Sequence, residues 1–316
     1  MVQVAVRGLM IVNEIDKTLL DEIDVSDFKE SEAYNIRKNG KSIKRKINDY
    51  VDIEPKEDGK GINVYVKENT YFGIVHIPVI LTQSGLKDVV YNDFYVGKNA
   101  NVIILAGCGI HNDEHEDSEH DGIHRFFIEE GAKVKYTEKH YGNGRGTGKR
   151  ILNPVTEIIL KKNASMTMDS VQIKGVSKTK RVTKAKIYEG ATLVVKEKIL
   201  TSDNQVAKTD FVIDLKGDGA SCNVTSRSVA TENSYQEFKS VVTGKAKSYA
   251  HVSCDAIIKD NAKVKAIPEI YAKDADANLV HEAVIGKIAG EQLMKLMSLG
   301  LSEKEAEDVI IKGFLK

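Results

Sequence analysis

Tryptophan is absent from this chain, and aromatic residues make up only 6% of it. That excludes the rows of exposed aromatic rings on which polysaccharide-cleaving enzymes bind sugars. Cysteine is almost as scarce. Cys108, Cys222 and Cys254 are odd in number and far apart, so no disulfide framework is expected and a reducing cytoplasm is the expected home. No charge of one sign prevails, because Lys+Arg and Asp+Glu are both 46; nucleic acid is therefore not an expected partner. Apolar runs such as Ile158–Leu160 and Val102–Gly107 fall far short of the ~18 residues that a membrane span needs. The first residues, MVQVAVRGLMIVNEID, carry no cleavable leader pattern.

What the chain does have is strand periodicity. Residues 1–60 read as a largely helical, lysine-rich segment, with Leu19, Leu20 and Ile23 on one stripe. From residue 61 the stretches INVYV, FGIVHIPVIL and DVVYNDFYV read as strands. A corner signal then repeats: a turn-forming residue or lysine followed by alanine, at Asn99-Ala100, Gly131-Ala132, Asn163-Ala164, Gly190-Ala191, Gly219-Ala220, Lys245-Ala246, Asn261-Ala262 and Asp276-Ala277. The steps are about 30 residues, shortening to about 15 at the end. Gly, Asn and Asp accept the left-handed backbone of a sharp corner, and Val-, Ile- and Thr-rich strands follow without helices between them. A β-solenoid over 61–285 is expected in preference to a two-sheet sandwich, whose hairpins would want Asn-Gly turns. Only Asn39-Gly40 and Asn143-Gly144 fit that.

Residues 286–316 switch to helical periodicity. Ile288, Leu293, Leu296 and Met297 share one face up to Gly300, and Ser302 and Glu305 have capping-box spacing before Ala306, Val309 and Ile310. The expected helical hairpin either caps the last coil or docks a partner.

Three features invite chemistry. HNDEHEDSEHDGIH offers His111, His115, His120 and His124 beside Cys108, donors for iron, zinc or nickel, although an acidic surface loop has the same composition. The loop HYGNGRGTGKR lacks the first Gly and the final Ser or Thr of a phosphate-binding loop. Cys254 lies on an inward, apolar strand face, whereas His281 and Glu282 alternate to opposite faces. Cys254 and Glu282 are nearly two repeat units apart. With each unit counted as one coil, stacking would hold them roughly 10 Å apart, too far to share one ion within a chain; either they do not cooperate, or Cys254 of one copy meets His281 or Glu282 of another across a two-fold axis.

The C-terminal region resembles the SufB/SufD family, scaffold proteins of the Suf iron–sulfur cluster assembly system. The resemblance rests on Cys254-Asp255, Pro268–Ile270, His281–Ala283 and the Gly-Leu-Ser-Glu-x-Glu-Ala-x-x-Val-Ile-x-x-Gly-Phe run of Gly300–Phe314. Weaker similarity covers about Tyr91 to Lys316, and Ser31–Ile47 also looks like the family. It implies a right-handed parallel β-helix flanked by helical segments. It also implies a non-catalytic scaffold that holds a transient iron–sulfur cluster, of [4Fe–4S] type, between two scaffold subunits and passes it to apo-proteins; the alternative is a structural adaptor for a partner ATPase, without a cluster of its own. Cys254, His281 and Glu282 take the family's cluster-binding positions. The C-terminal hairpin, with Leu293, Leu296, Met297, Ala306, Val309, Ile310 and Phe314, would dock a SufC-type ABC ATPase, which supplies the ATP chemistry. A cysteine-rich N-terminal motif found in many SufB proteins is missing. SufB-like and SufD-like residues share this one chain, which implies a homodimer.

Overall fold

The computed structural model describes residues 13–24, 28–29 and 31–316; residues 1–12, on which the leader expectation rests, lie outside them. A short helix α1 (Glu14–Glu22) precedes two hairpins, β1 (Ala33–Lys38) with β2 (Lys41–Lys46) and β3 (Val51–Pro55) with β4 (Gly61–Val66). The coils follow: β5 (Gly73–Leu81), β6 (Lys87–Val96), β7 (Asn101–His111), β8 (Ser118–Ile128), β9 (Lys133–Asn143), β10 (Arg150–Leu152) and β11 (Val155–Leu160). They continue as β12 (Ser165–Lys174), β13 (Lys178–Ile187), β14 (Thr192–Thr201), β15 (Val206–Leu215), β16 (Ser221–Ala230), β17 (Tyr235–Gly244), β18 (Tyr249–Ile258), β19 (Lys263–Ala272) and β20 (Asn278–Gly286). Helices α2 (Gly290–Met297) and α3 (Glu303–Phe314) end the chain.

From β5 onward the strands go alternately to two facing sheets, with β10 and β11 together taking one place between β8 and β13, and each pairs in parallel with the strand one coil earlier. This is the expected β-solenoid, of about 8 turns. The inner faces interlock as one apolar core, from Val51 and Val64 at one end to Val252 and Cys254 at the other. Corner chemistry explains the register. Asn99, Gly131, Asn163, Gly190 and Gly219 all have positive φ, and the alanine after each is buried. A β-carbon larger than a methyl group at those alanines would have no room between stacked turns. The later corners depart from the expectation. At Lys245-Ala246 Ser248 takes the buried place and Ala246 is only half-buried, as is Ala277 after Asp276; at Asn261-Ala262 the alanine is buried but the positive φ falls on Asp260.

The expectation of a largely helical segment over 1–60 is corrected. Among the described residues only Glu14–Glu22 is α-helical there, and 33–55 forms three strands. Asn39 and Gly40, at φ 46° and 78°, make the two-residue hairpin turn that this sequence pair favours. The lysines of KSIKRK lie on β2, an exposed sheet edge, where charge discourages pairing with other chains. Helix α1 packs Leu19 and Ile23 onto Gly109 and Gly107 of β7, where an added β-carbon would come within 3.1 and 2.8 Å of them.

Two further corrections set up the site. Each ~15-residue unit is half a coil, so β18 and β20 are adjacent strands rather than strands two spacings apart. The C-terminal hairpin does not cap the last coil. It lies along the outer face of the sheet that holds β14, β16 and β18, where Lys198 donates to the Lys316 carbonyl, Arg227 to that of Phe314, and Lys259 pairs with Glu307. The last coil is left open, with Ile270 and Ile285 exposed.

Candidate metal centre at the open end

Strand alternation decides what each candidate faces. On β18, Ala250, Val252, Cys254 and Ala256 point inward, and His251, Ser253 and Asp255 point outward. Register carries this onto β20: Val252 pairs with His281, Ser253 with Glu282 and Cys254 with Ala283. His281 therefore shares the inner face with Cys254, one strand over and two positions along, while Glu282 stands on the outer face. The sequence separated His281 from Glu282 correctly. What keeps Glu282 from Cys254 is the sheet between them, not a two-coil distance.

Cys254 is 2% exposed. Burial, reinforced by the Glu197 and Asp255 charges, pushes its thiol up to about 12, so the sulfur holds its proton at neutral pH. It lines a cavity of ≈ 10 Å³ with Glu197, Thr209, Ser226, Gln236 and Phe238. His281 is half-buried, yet both its ring nitrogens are shielded and neither has a hydrogen-bond partner. Burial, with the neighbouring His251, lowers its pKa and keeps the imidazole neutral, the form that binds metals. An imidazole with both nitrogens buried and unbonded is an unpaid polar group. The ring lies over Phe238, centroids 6.5 Å apart.

Cys254 ends an inward column that runs Glu138, Ser170, Glu197, Ser226, Cys254 along one sheet. Sequence reasoning missed this column, because its members align only once the coil length is known. Arg181, 1% exposed, reaches across from β13 between the two carboxylates. Burial pushes Glu138 up, but the His140 and Arg181 charges outweigh it and hold that carboxyl well below its usual range. Burial raises Glu197, which accepts from Ser226 at 2.7 Å and Thr209 at 2.9 Å.

The histidine-rich stretch does not act as one cluster. His111 and His115 belong to a tongue on which Gly144, Gly146 and Gly148 stack against the backbone of Asn112, Glu114 and Glu116; a β-carbon at any of the three glycines would lie 2.1–2.2 Å from a carbonyl oxygen. His111 contacts Asn143 and Asp113, and His115 contacts Thr147. The glycines thus serve loop packing rather than phosphate binding. His120 and His124 instead point into the solenoid on β8. His120 Nδ1 lies 3.1 Å from Asp88, itself held by Arg37, and His124 Nδ1 lies 2.7 Å from the Tyr136 hydroxyl, which donates to Glu138. Cys108 lines a ≈ 20 Å³ cavity with them. Burial, with the Asp88 and Glu138 charges, raises its thiol well above the usual range. Among the described residues no three His, Cys, Asp or Glu side chains converge to hold a metal ion within one chain.

On the C-terminal hairpin, Ala306 is buried, Leu293, Leu296, Ile310 and Phe314 are half-buried, and Met297 and Val309 are exposed. Met294 and Leu299, which the sequence reading left out, enlarge that apolar surface. The Ser302–Glu305 capping box forms as the spacing predicts.

Residues 94–314 match the family model described as the SUF system FeS cluster assembly SufBD core domain. An iron–sulfur cluster assembly SufBD family protein of Methanocaldococcus jannaschii is 26% identical over 263 residues, 82% of each chain. Another, of Pyrococcus horikoshii, is 29% identical over 270 residues, 83% of this chain and 79% of its own. No helix among the described residues is long and apolar enough to cross a membrane. With a parallel solenoid, a cysteine and an unbonded histidine on neighbouring strands of the inner face near its open end, and a core-domain match over most of its length, the chain belongs to the SufBD family of iron–sulfur cluster assembly proteins.

Proposed function

We propose that this protein is a non-catalytic scaffold on which iron and sulfide assemble into a cluster at the open last coil. The observation that carries the reading is the His281 imidazole, with neither nitrogen bonded, on the same inner face as Cys254. Thiolate and imidazole suit cluster iron, and each gains from a metal what it lacks alone. The thiol loses its proton on binding, and the imidazole acquires a partner.

One chain does not complete the site. Glu282 faces away from Cys254 on its own strand pair, so it joins a shared ion only from a second copy. A homodimer through the open coils supplies that copy and covers Ile270 and Ile285 together with the unpaired outer edges of β19 and β20. Mixed thiolate, imidazole and carboxylate ligation holds a cluster less tightly than four thiolates, which suits a protein that gives its [4Fe–4S] cluster away to apo-proteins. The apolar surface of Met294, Met297, Leu299 and Val309 is the docking face for a SufC-type ABC ATPase in the cytoplasm, and ATP acts only through that partner. His111, His115, His120, His124 and Cys108 take no part in this site.

Anaerobic reconstitution with iron and sulfide tests the reading, with visible absorption and iron per chain as readouts. A brown protein that turns colourless in His281→Ala and Cys254→Ser supports it. Full colour in both variants would reject it.

A further inference from the structure

The outer face of the last two coils carries a histidine with no role in the reading above. His251 Nε2 lies 3.4 Å from Glu282 Oε2. The register sets Glu282 beside Ser253, so its side chain leans diagonally toward the imidazole. The separation is longer than the ~2.7–2.9 Å of a charge-assisted hydrogen bond, and none forms between them. It is, however, the separation of two ligands on one ion: with bonds of about 2.1 Å, 3.4 Å subtends an angle of about 108°. The surroundings leave the pair free for that. Ser253 donates to Asp255 at 3.3 Å, and Arg227, on the same face, is turned onto the Phe314 carbonyl and ring. Asp255 adds a second carboxylate to this face.

We infer that His251 and Glu282 form an outward-facing site for a divalent cation, with water completing the shell. The inference rests on the iron–sulfur reading in one respect, that the ion is ferrous iron on its way to the cluster. The sheet then sorts ligands by softness. Imidazole nitrogen and carboxylate oxygen outside receive a hydrated Fe²⁺, and thiolate and imidazole inside receive the assembled cluster. Because Glu282 belongs to the outer pair of one copy and serves the Cys254 site of the other, the His251–Glu282 pair loads iron where the second copy takes it over.

Cobalt(II), added anaerobically to the iron-free full-length protein, is the probe. Two modes of uptake are expected, one with a thiolate-to-cobalt charge-transfer band and one without. His251→Ala weakens the mode without the band at least tenfold and leaves the band; Cys254→Ser does the reverse. Unchanged band-free affinity in His251→Ala overturns the inference, as does loss of both modes together in either variant. Failure of the scaffold reading is told apart, since it shows as undiminished cluster assembly in Cys254→Ser whatever cobalt does.

Discussion

The middle coils and the open end share one strand pattern, yet they treat inner-face ionisable groups differently. In the middle, every buried charge has its counter-charge: Arg181 sits between Glu138 and Glu197, and Arg37 holds Asp88. At the end, Cys254 and His281 occupy the same kind of inward position with no such partners. Among the described residues the stacked coils pair their buried charges internally, and what they leave unbonded are single atoms of neutral or otherwise held side chains, as at Ser170, Gln172 and Thr183. The last strand of the Cys254 sheet, β20, stacks on one side only and carries His281, whose two ring nitrogens are both buried and unbonded, beside Cys254 on β18. An imidazole with both nitrogens buried and unbonded is costly, and at the open end it has access to a ligand from outside the chain.

Breaking the middle should have the largest effect. Arg181→Met strands two buried carboxylates and should destabilise the fold by about 3–5 kcal/mol in urea unfolding. Acid should attack the same region. Burial lowers the His124 pKa to about 4, below the ~6.5 of an unfolded histidine. Between those values the unfolded chain binds a proton that the folded chain refuses, so stability present above pH 6.5 falls as pH drops toward 4. His124→Gln should flatten that part of the pH profile in thermal unfolding. At the periphery, Ser302→Ala removes the α3 cap and should cost about 1 kcal/mol of helix stability, read as faster amide exchange in α3 with the solenoid unchanged. The smallest effect has the opposite sign. His281→Leu removes an unbonded imidazole and should leave unfolding stability the same or raise it by up to about 1 kcal/mol, while abolishing cluster uptake. A loss of several kcal/mol there would mean that the last coil is built like the middle ones.

The fold was largely legible because its corners are chemical. Residues that accept positive φ followed by alanine mark Asn99-Ala100 through Gly219-Ala220, and all five are corners. The hairpin of β1 and β2 was misread because the lysines of an exposed edge look like those of a solvated helix, although Asn39-Gly40 announced the turn. The site was legible in part. Alternation placed Cys254 inward and split His281 from Glu282. It did not show that two repeat units make one coil, and without the coil length nothing aligns His251 with Glu282 or Glu197 with Cys254. The His111–His124 stretch stayed ambiguous for a related reason, since a loop residue and an inward strand residue look alike until the strand boundary at Ser118 is known.

The central claim, that the open coils of two copies complete one another, has a direct test in subunit mixing. Cys254→Ser and Glu282→Ala proteins, each colourless alone after anaerobic reconstitution, are unfolded together, refolded in equal amounts and reconstituted. Random pairing makes half the dimers mixed, each with one intact site of two, so about one quarter of the wild-type cluster absorbance should return. A mixture as colourless as its components would contradict the account and confine the ligands to a single chain.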